Sequence, residues 1–167
     1  MHAITPLVAL AALALTAAAA CNDNNNGTNP PQAETFTTTL SGANERPNPV
    51  TTTATGTATV TLSSDQNTLS WSVAYTGLSG NPVAAHIHGP FDPANPGGGT
   101  APVIVTFGSL PAAEEGTITG SLPRSSTPIG NNVGFDSLVT LLRGGHAYVN
   151  IHTPDHPGGE IRGQLAP

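Results

Sequence analysis

From Phe36 onward, apolar and polar residues alternate in short runs, the pattern of strands with one face buried and the other in water. TATGTATVTL (53–62) places Ala54, Gly56, Ala58, Val60 and Leu62 on one face and a row of threonines on the other. SSDQN supplies turn residues, and TLSWSVAYTGL continues with Leu69, Trp71, Val73 and Tyr75 on one face, so the two runs predict a hairpin. PVIVTF (102–107) is apolar and β-branched almost throughout and predicts a central strand; GTITGSL (116–122) alternates again. FDSLVTLLRGG (135–145) breaks the period. Leu138, Leu141 and Leu142 have helical spacing, Asp136 is placed to cap the N-terminus, Arg143 complements the C-terminal dipole, and Gly144 or Gly145 ends the turn. One short helix is predicted there.

Three further runs sort their polar residues onto one face, since side chains two apart on a strand share a side. VAAHIHG (83–89) sets Val83, Ala85 and Ile87 against Ala84, His86 and His88. HAYVNIHT (146–153) sets Ala147, Val149 and Ile151 against Tyr148, Asn150 and His152. GEIRGQL (159–165) sets Ile161, Gly163 and Leu165 against Glu160, Arg162 and Gln164. PDHPGG joins the last two as a hairpin turn. If the first run lies beside them, the polar faces merge, and three readings stay open. His86, His88 and His152 are candidate copper or zinc ligands, with a carboxylate or water completing the shell. Alternatively Asn150, Glu160, Arg162 and Gln164 form a hydrogen-bonded network with the histidines, Arg162 meeting Glu160 or a carbonyl, and fix register without a ligand. The third reading is a site for another ligand, a glycan or a polypeptide. His156 belongs to the turn and His146 to the surface.

Composition narrows the class. Four Lys+Arg in a chain of net charge −6 cannot track a phosphate backbone, which excludes nucleic acid as a partner. Nineteen glycines, sixteen prolines and few aromatics fit short strands with a core of Val, Leu, Ile and Ala, an all-β domain. The first twenty residues form an apolar run ending in Ala18-Ala19-Ala20, read as a signal peptide. Cys21, the only cysteine, follows at once and resembles the lipidated residue of a bacterial lipobox, with Ala18 where Leu is usual. Residues 21–34 are almost without apolar side chains and read as a disordered tether between that anchor and the domain. A lone cysteine permits no intramolecular disulfide, so the fold has to stand on packing. No G-x-S-x-G elbow is present, Glu114 and Glu115 read as solvated surface, and NPGGGT (95–100) as a long flexible loop rather than a phosphate cradle.

FTTTLSGANERPNPVTTTATGTATVTL, AAHIHGP and LLRGGHAYVNIHT…HPGGEIRGQL together resemble the CHRD domain, a module first described in chordin and widespread in bacterial exported proteins. The similarity runs from about Phe36 to Leu165. Its most specific block carries Tyr148, Asn150, His152, Glu160, Arg162 and Gln164 in the family's order, and Gly42, Asn44, Glu45 and Pro47 match its opening. The resemblance implies an immunoglobulin-like antiparallel β-sandwich or barrel and supplies no activity. A looser likeness is to Cu/Zn superoxide dismutase, whose His-x-His strand and distant strand histidine His86, His88 and His152 mimic. No histidine lies between His88 and His146, so the bridging and zinc histidines of that enzyme have no counterpart. The expectation is therefore a single CHRD-type β domain over residues 35–167, exported and held to a membrane through Cys21. Its expected role is a non-catalytic binding or structural module of the bacterial cell envelope, without cofactor, facing an envelope protein or glycan. The alternative is a copper- or zinc-binding protein using the three histidines; a metal-dependent redox enzyme ranks third.

Overall fold

A computed structural model describes residues 31–167 apart from 93, 95–98 and 127. The signal run, Cys21 and the tether as far as residue 30 lie outside the described residues, as does most of NPGGGT. The strands are β1 (Glu34–Ser41), β2 (Thr55–Leu62), β3 (Thr68–Thr76), β4 (Ala84–His88), β5 (Val103–Thr106), β6 (Gly116–Pro123), β7 (Tyr148–His152) and β8 (Ile161–Gln164). One helix, α1 (Phe135–Arg143), precedes β7. All pairings are antiparallel, in one eight-stranded sheet ordered β5-β4-β7-β8-β1-β2-β3-β6. The sheet is strongly curled into a half-barrel, so its inward residues meet in a single core. The all-β class with one short helix is thus as the pattern predicts.

Alternation sets the register. In the β2–β3 hairpin Leu62 pairs with Leu69, Val60 with Trp71, Ala58 with Val73 and Gly56 with Tyr75, which sends these apolar side chains inward. Phe36 and Leu40 extend that face onto β1, and Ile118 onto β6. Trp71 stacks on Phe107 with ring centres 4.9 Å apart. On the other half of the sheet Ala85, Ile87, Val149, Ile151 and Ile161 are buried, and α1 covers the core with Phe135, Leu138, Val139 and Leu142.

Four details differ from the sequence reading. β5 is an edge strand, not a central one: it pairs only with β4. Its apolar content has another cause, because the turn at Gly130–Asn132 lies along its open side and Asn131 donates to the Val103 carbonyl at 2.6 Å. The helix N-cap is Gly134; Asp136 stands in the first turn and pairs with Arg124 at 2.7 Å. Val83 precedes β4 and is exposed, so the apolar face of that strand starts at Ala85. Glu34 is the first residue of β1 rather than the last of the tether, and its carboxylate binds Arg143.

The two halves of the sheet join where β8 meets β1, with Ser41 opposite Arg162 and a further bridge between Thr37 and Ala166. Gly163 sits in that seam. A side-chain carbon there would stand 2.4 Å from the Thr39 carbonyl oxygen, so only glycine lets the strands approach.

Candidate metal centre

β4 lies directly beside β7, which brings the two histidine-bearing runs together. His86 is opposite Asn150, His88 opposite Tyr148 and Ala84 opposite His152, and Asn150 is in turn opposite Arg162 on β8. All of these side chains stand on the sheet face away from the core. They are not in open water. Glu45 from the loop after β1, and Phe91, Gly99 and Ala101 from the chain after β4, stand against them, and Asn150 (4%), Arg162 (3%) and His88 (8%) are nearly inaccessible. The polar face is therefore a second, smaller interior.

One ring nitrogen each from His86, His88 and His152 lies within 4.8 Å of the other two. Backbone carbonyls fix two of the tautomers. His88 Nδ1 faces the Ala101 oxygen at 2.8 Å and His152 Nδ1 the Pro157 oxygen at 2.9 Å, so both nitrogens carry hydrogen and both Nε2 atoms keep a lone pair. His88 Nε2 is buried without a hydrogen-bond partner. His152 Nε2 accepts from His86 Nδ1 at 3.2 Å. Tetrahedral ligation at about 2.0 Å puts neighbouring nitrogens about 3.3 Å apart, so that pair already has the spacing. To serve as a ligand His86 moves its hydrogen to Nε2, and the carbonyl bonds of the other two rings are the outer support that metal-bound imidazoles receive.

Electrostatics keep the rings neutral. Burial pushes His86 down to about 4, helped by the neighbouring His152 and His88. Burial likewise lowers His88 and His152, against the opposing pull of their carbonyl partners. Neutral imidazoles are the ligating form, and a set of three suits zinc or copper.

Around this cluster the chain has built a stack. The His88 and Tyr148 rings are parallel with centres 4.8 Å apart. The Arg162 guanidinium lies 3.4 Å from the Tyr148 ring centre and 4.4 Å from that of Phe91. Asn150 donates through Nδ2 to both oxygens of Glu45 at 3.1 Å, while its Oδ1 is buried and unpartnered. Burial raises Glu45 to about 7 despite the Arg162 charge and the Asn150 bond. Gly159, with φ at +123°, is the residue that makes room: a side-chain carbon would meet the Asn150 amide at 2.5 Å.

Glu160 does not join Arg162 on this face. It turns to the end of the core and accepts from Thr52 Oγ1 at 2.8 Å, Ser79 Oγ at 2.8 Å, Thr153 Oγ1 at 2.7 Å and the Ser79 backbone at 3.0 Å. Burial alone would raise its pKa; those donors outweigh it and hold the carboxyl below its usual value. Gln164 also stands aside, donating to the Gly145 and Ala147 carbonyls ahead of β7. His146 is exposed and faces the Phe91 carbonyl, and His156 stays in the β7–β8 turn. Glu45 and Phe91, central here, carry no strand pattern of their own. Only the SGANERP stretch pointed toward Glu45, and nothing pointed to Phe91.

A family model for the CHRD domain matches residues 36–165, from the third residue of β1 to just past β8. Comparison with curated proteins and with solved structures returns no match. The matched span includes every strand of the curled sheet and all three converging histidines, and the chain belongs to the CHRD domain family.

Proposed function

We propose that the protein is an exported, lipid-anchored CHRD module of the cell envelope that binds one copper or zinc ion through His86, His88 and His152, in a non-catalytic role. The observation that carries this reading is the buried, unpartnered Nε2 of His88 within reach of two further imidazole nitrogens. A buried polar atom without a partner costs free energy, and a bound cation would supply that partner. The ion would bring a Lewis-acidic centre with one exchangeable position. The chain's own part is to hold two Nε2 lone pairs in place through the Ala101 and Pro157 carbonyls and to keep His88 out of water. Export and anchoring rest on the apolar run and the position of Cys21.

The test is metal analysis of the full chain after loading with copper or zinc and dialysis, beside His88→Ala. Near-stoichiometric metal in the parent, lost in the variant, is the expected result. A parent that retains no metal would overturn the reading and leave the cluster as a register-fixing network.

A further inference from the structure

The curled sheet ends in two edge strands, β5 and β6, and the chain treats them differently. β5 has the turn at Gly130–Asn132 along its open side. β6 pairs with β3 over its whole length, and among the described residues no backbone group of Gly116–Pro123 bonds to any other segment. The usual guards of an exposed edge are missing as well. The strand carries no charged side chain, its register with β3 runs without a bulge, and its one proline is the last residue. An eight-residue strand is thus left with a row of N–H and C=O groups open to pairing.

A buried donor lies at the same edge. The Trp71 ring crosses from β3 over Gly120, the residue opposite it on β6, where a side-chain carbon would stand 2.4 Å from the indole. Trp71 is 8% exposed, and its Nε1 is buried without a hydrogen-bond partner. An unmet buried donor costs free energy, and indole N–H groups ordinarily find an acceptor. Directly opposite residues on paired strands have side-chain carbons about 4.5–5.5 Å apart, so a strand added beyond β6 would hold a side-chain oxygen within reach of the N–H above Gly120. A second copy of β6 does not supply that oxygen. Paired antiparallel in one continuous sheet, it offers Ile118, Gly120 or Leu122 on this face, and none of these side chains has an acceptor. Just before the strand Glu114 and Glu115 stand exposed, neither in an ion pair among the described residues.

We propose that β6 takes up an extended segment of another polypeptide as a further strand, with an Asn, Ser or Thr side chain opposite Gly120 accepting from Trp71 Nε1. The added strand runs antiparallel, like every other pairing in the sheet. Apolar residues two positions to either side of the acceptor meet Ile118 and the half-buried Leu122, and basic residues at the segment's C-terminal end pass Glu114 and Glu115. Backbone pairing supplies the affinity and the alternate side chains supply the selection. β6 stands apart from β4 and β7 in the strand order, so this uptake does not depend on metal.

The chain has a single tryptophan, so the Trp71 indole N–H gives one resonance in the NMR spectrum of the full chain. The probe is the peptide acetyl-TVTNTVTKK-amide, beside the same peptide with alanine for asparagine and two forms N-methylated at alternate residues, one in each phase. A saturable downfield shift of the indole proton is expected with the asparagine peptide, and the alanine peptide should bind about fivefold more weakly for want of one hydrogen bond. One N-methylated form should lose binding and the other keep it, because only one edge of the peptide faces β6. Trp71→Phe, its folding checked by circular dichroism and its binding read on the backbone amides of residues 117–121, should bind the asparagine and alanine peptides alike. Glu114→Gln/Glu115→Gln should weaken binding severalfold at low salt. The proposal would be overturned by no saturable shift with the asparagine peptide, by no preference for it over the alanine peptide, or by equal binding of both N-methylated forms. Unchanged affinity in the glutamine variant, or a stable dimer in sedimentation whose indole proton is already shifted, would overturn it too.

Discussion

Glu45 and His86 share one polar interior and answer pH in opposite senses. Glu45 has a folded pKa of about 7 against 4.5 for the ordinary carboxyl, so the stability it contributes is complete below pH 4.5 and is lost as pH rises through about 7. His86 has a folded pKa of about 4 against 6.5, so its contribution is present above pH 6.5 and is lost as pH falls through about 4. Each effect is at most on the order of 3 kcal/mol, and solvent screening reduces that of the partly exposed His86. Between pH 4.5 and 6.5 the two slopes oppose each other, and only the Glu45 loss continues above that window. Glu45→Gln removes one slope. Its amide oxygen can still accept from Asn150 Nδ2. Urea midpoints of the metal-free protein should therefore stay nearly level from pH 4.5 to 6.5 in the parent and then fall toward pH 8. In Glu45→Gln they should climb to pH 6.5 and hold. A variant that still loses stability above pH 6.5 would show that Glu45 is not the group responsible. The histidines were legible in the sequence because alternation alone puts them on one side of their strands. Glu45 was not, since it arrives on a loop 105 residues before the Asn150 it binds, and no local pattern encodes that meeting.

At the scale of elements, the seam between β8 and β1 decides whether the sheet closes around one core. Each half is pinned by a hairpin, β2–β3 on one side and β7–β8 on the other, and hairpins are what local alternation and turn residues predict best. The seam is a non-local pairing and has no such signal. Gly163 marks it only once the structure shows the Thr39 carbonyl where a side-chain carbon would stand. Gly163→Ala should push β8 away from β1, and a loss of roughly 2–4 kcal/mol is expected because a backbone oxygen, unlike a flexible side chain, cannot step aside. Hydrogen exchange would locate the damage, with amides of Thr37 and Ala166, bonded across the bridge, exchanging earliest. Unchanged protection there in the variant would remove the seam from this role. The same distinction explains β5. Its apolar run is real, but whether such a run lies at the centre or at a covered edge depends on Asn131 and Gly130; Asn131 reaches Val103 from 28 residues further along the chain.

Across the whole molecule, the two interiors share β4, β7 and β8: Ile87, Val149 and Ile161 face the large core while His88, Asn150 and Arg162 face the small polar one. Anything that tightens the polar interior also holds these strands to the core, so a metal bound by the folded state alone must raise the stability of the entire domain. At free metal one hundred times its dissociation constant, linkage gives about 2.7 kcal/mol. For a domain of this size that corresponds to a rise of roughly 10 °C in Tm. The increase should be reversed by a chelator and should vanish in a His86→Ala/His88→Ala/His152→Ala variant. Because that variant also loses the Ala101 and Pro157 carbonyl contacts, its metal-free Tm will be lower, and the comparison has to be the shift on adding metal rather than the Tm itself. Exposed carboxylates such as Glu114 and Glu115 can bind cations loosely, but such binding would persist in the triple variant. An equal metal-induced shift in parent and variant would place the stabilising cation elsewhere on the molecule; a shift confined to the parent ties it to the face shared by β4 and β7.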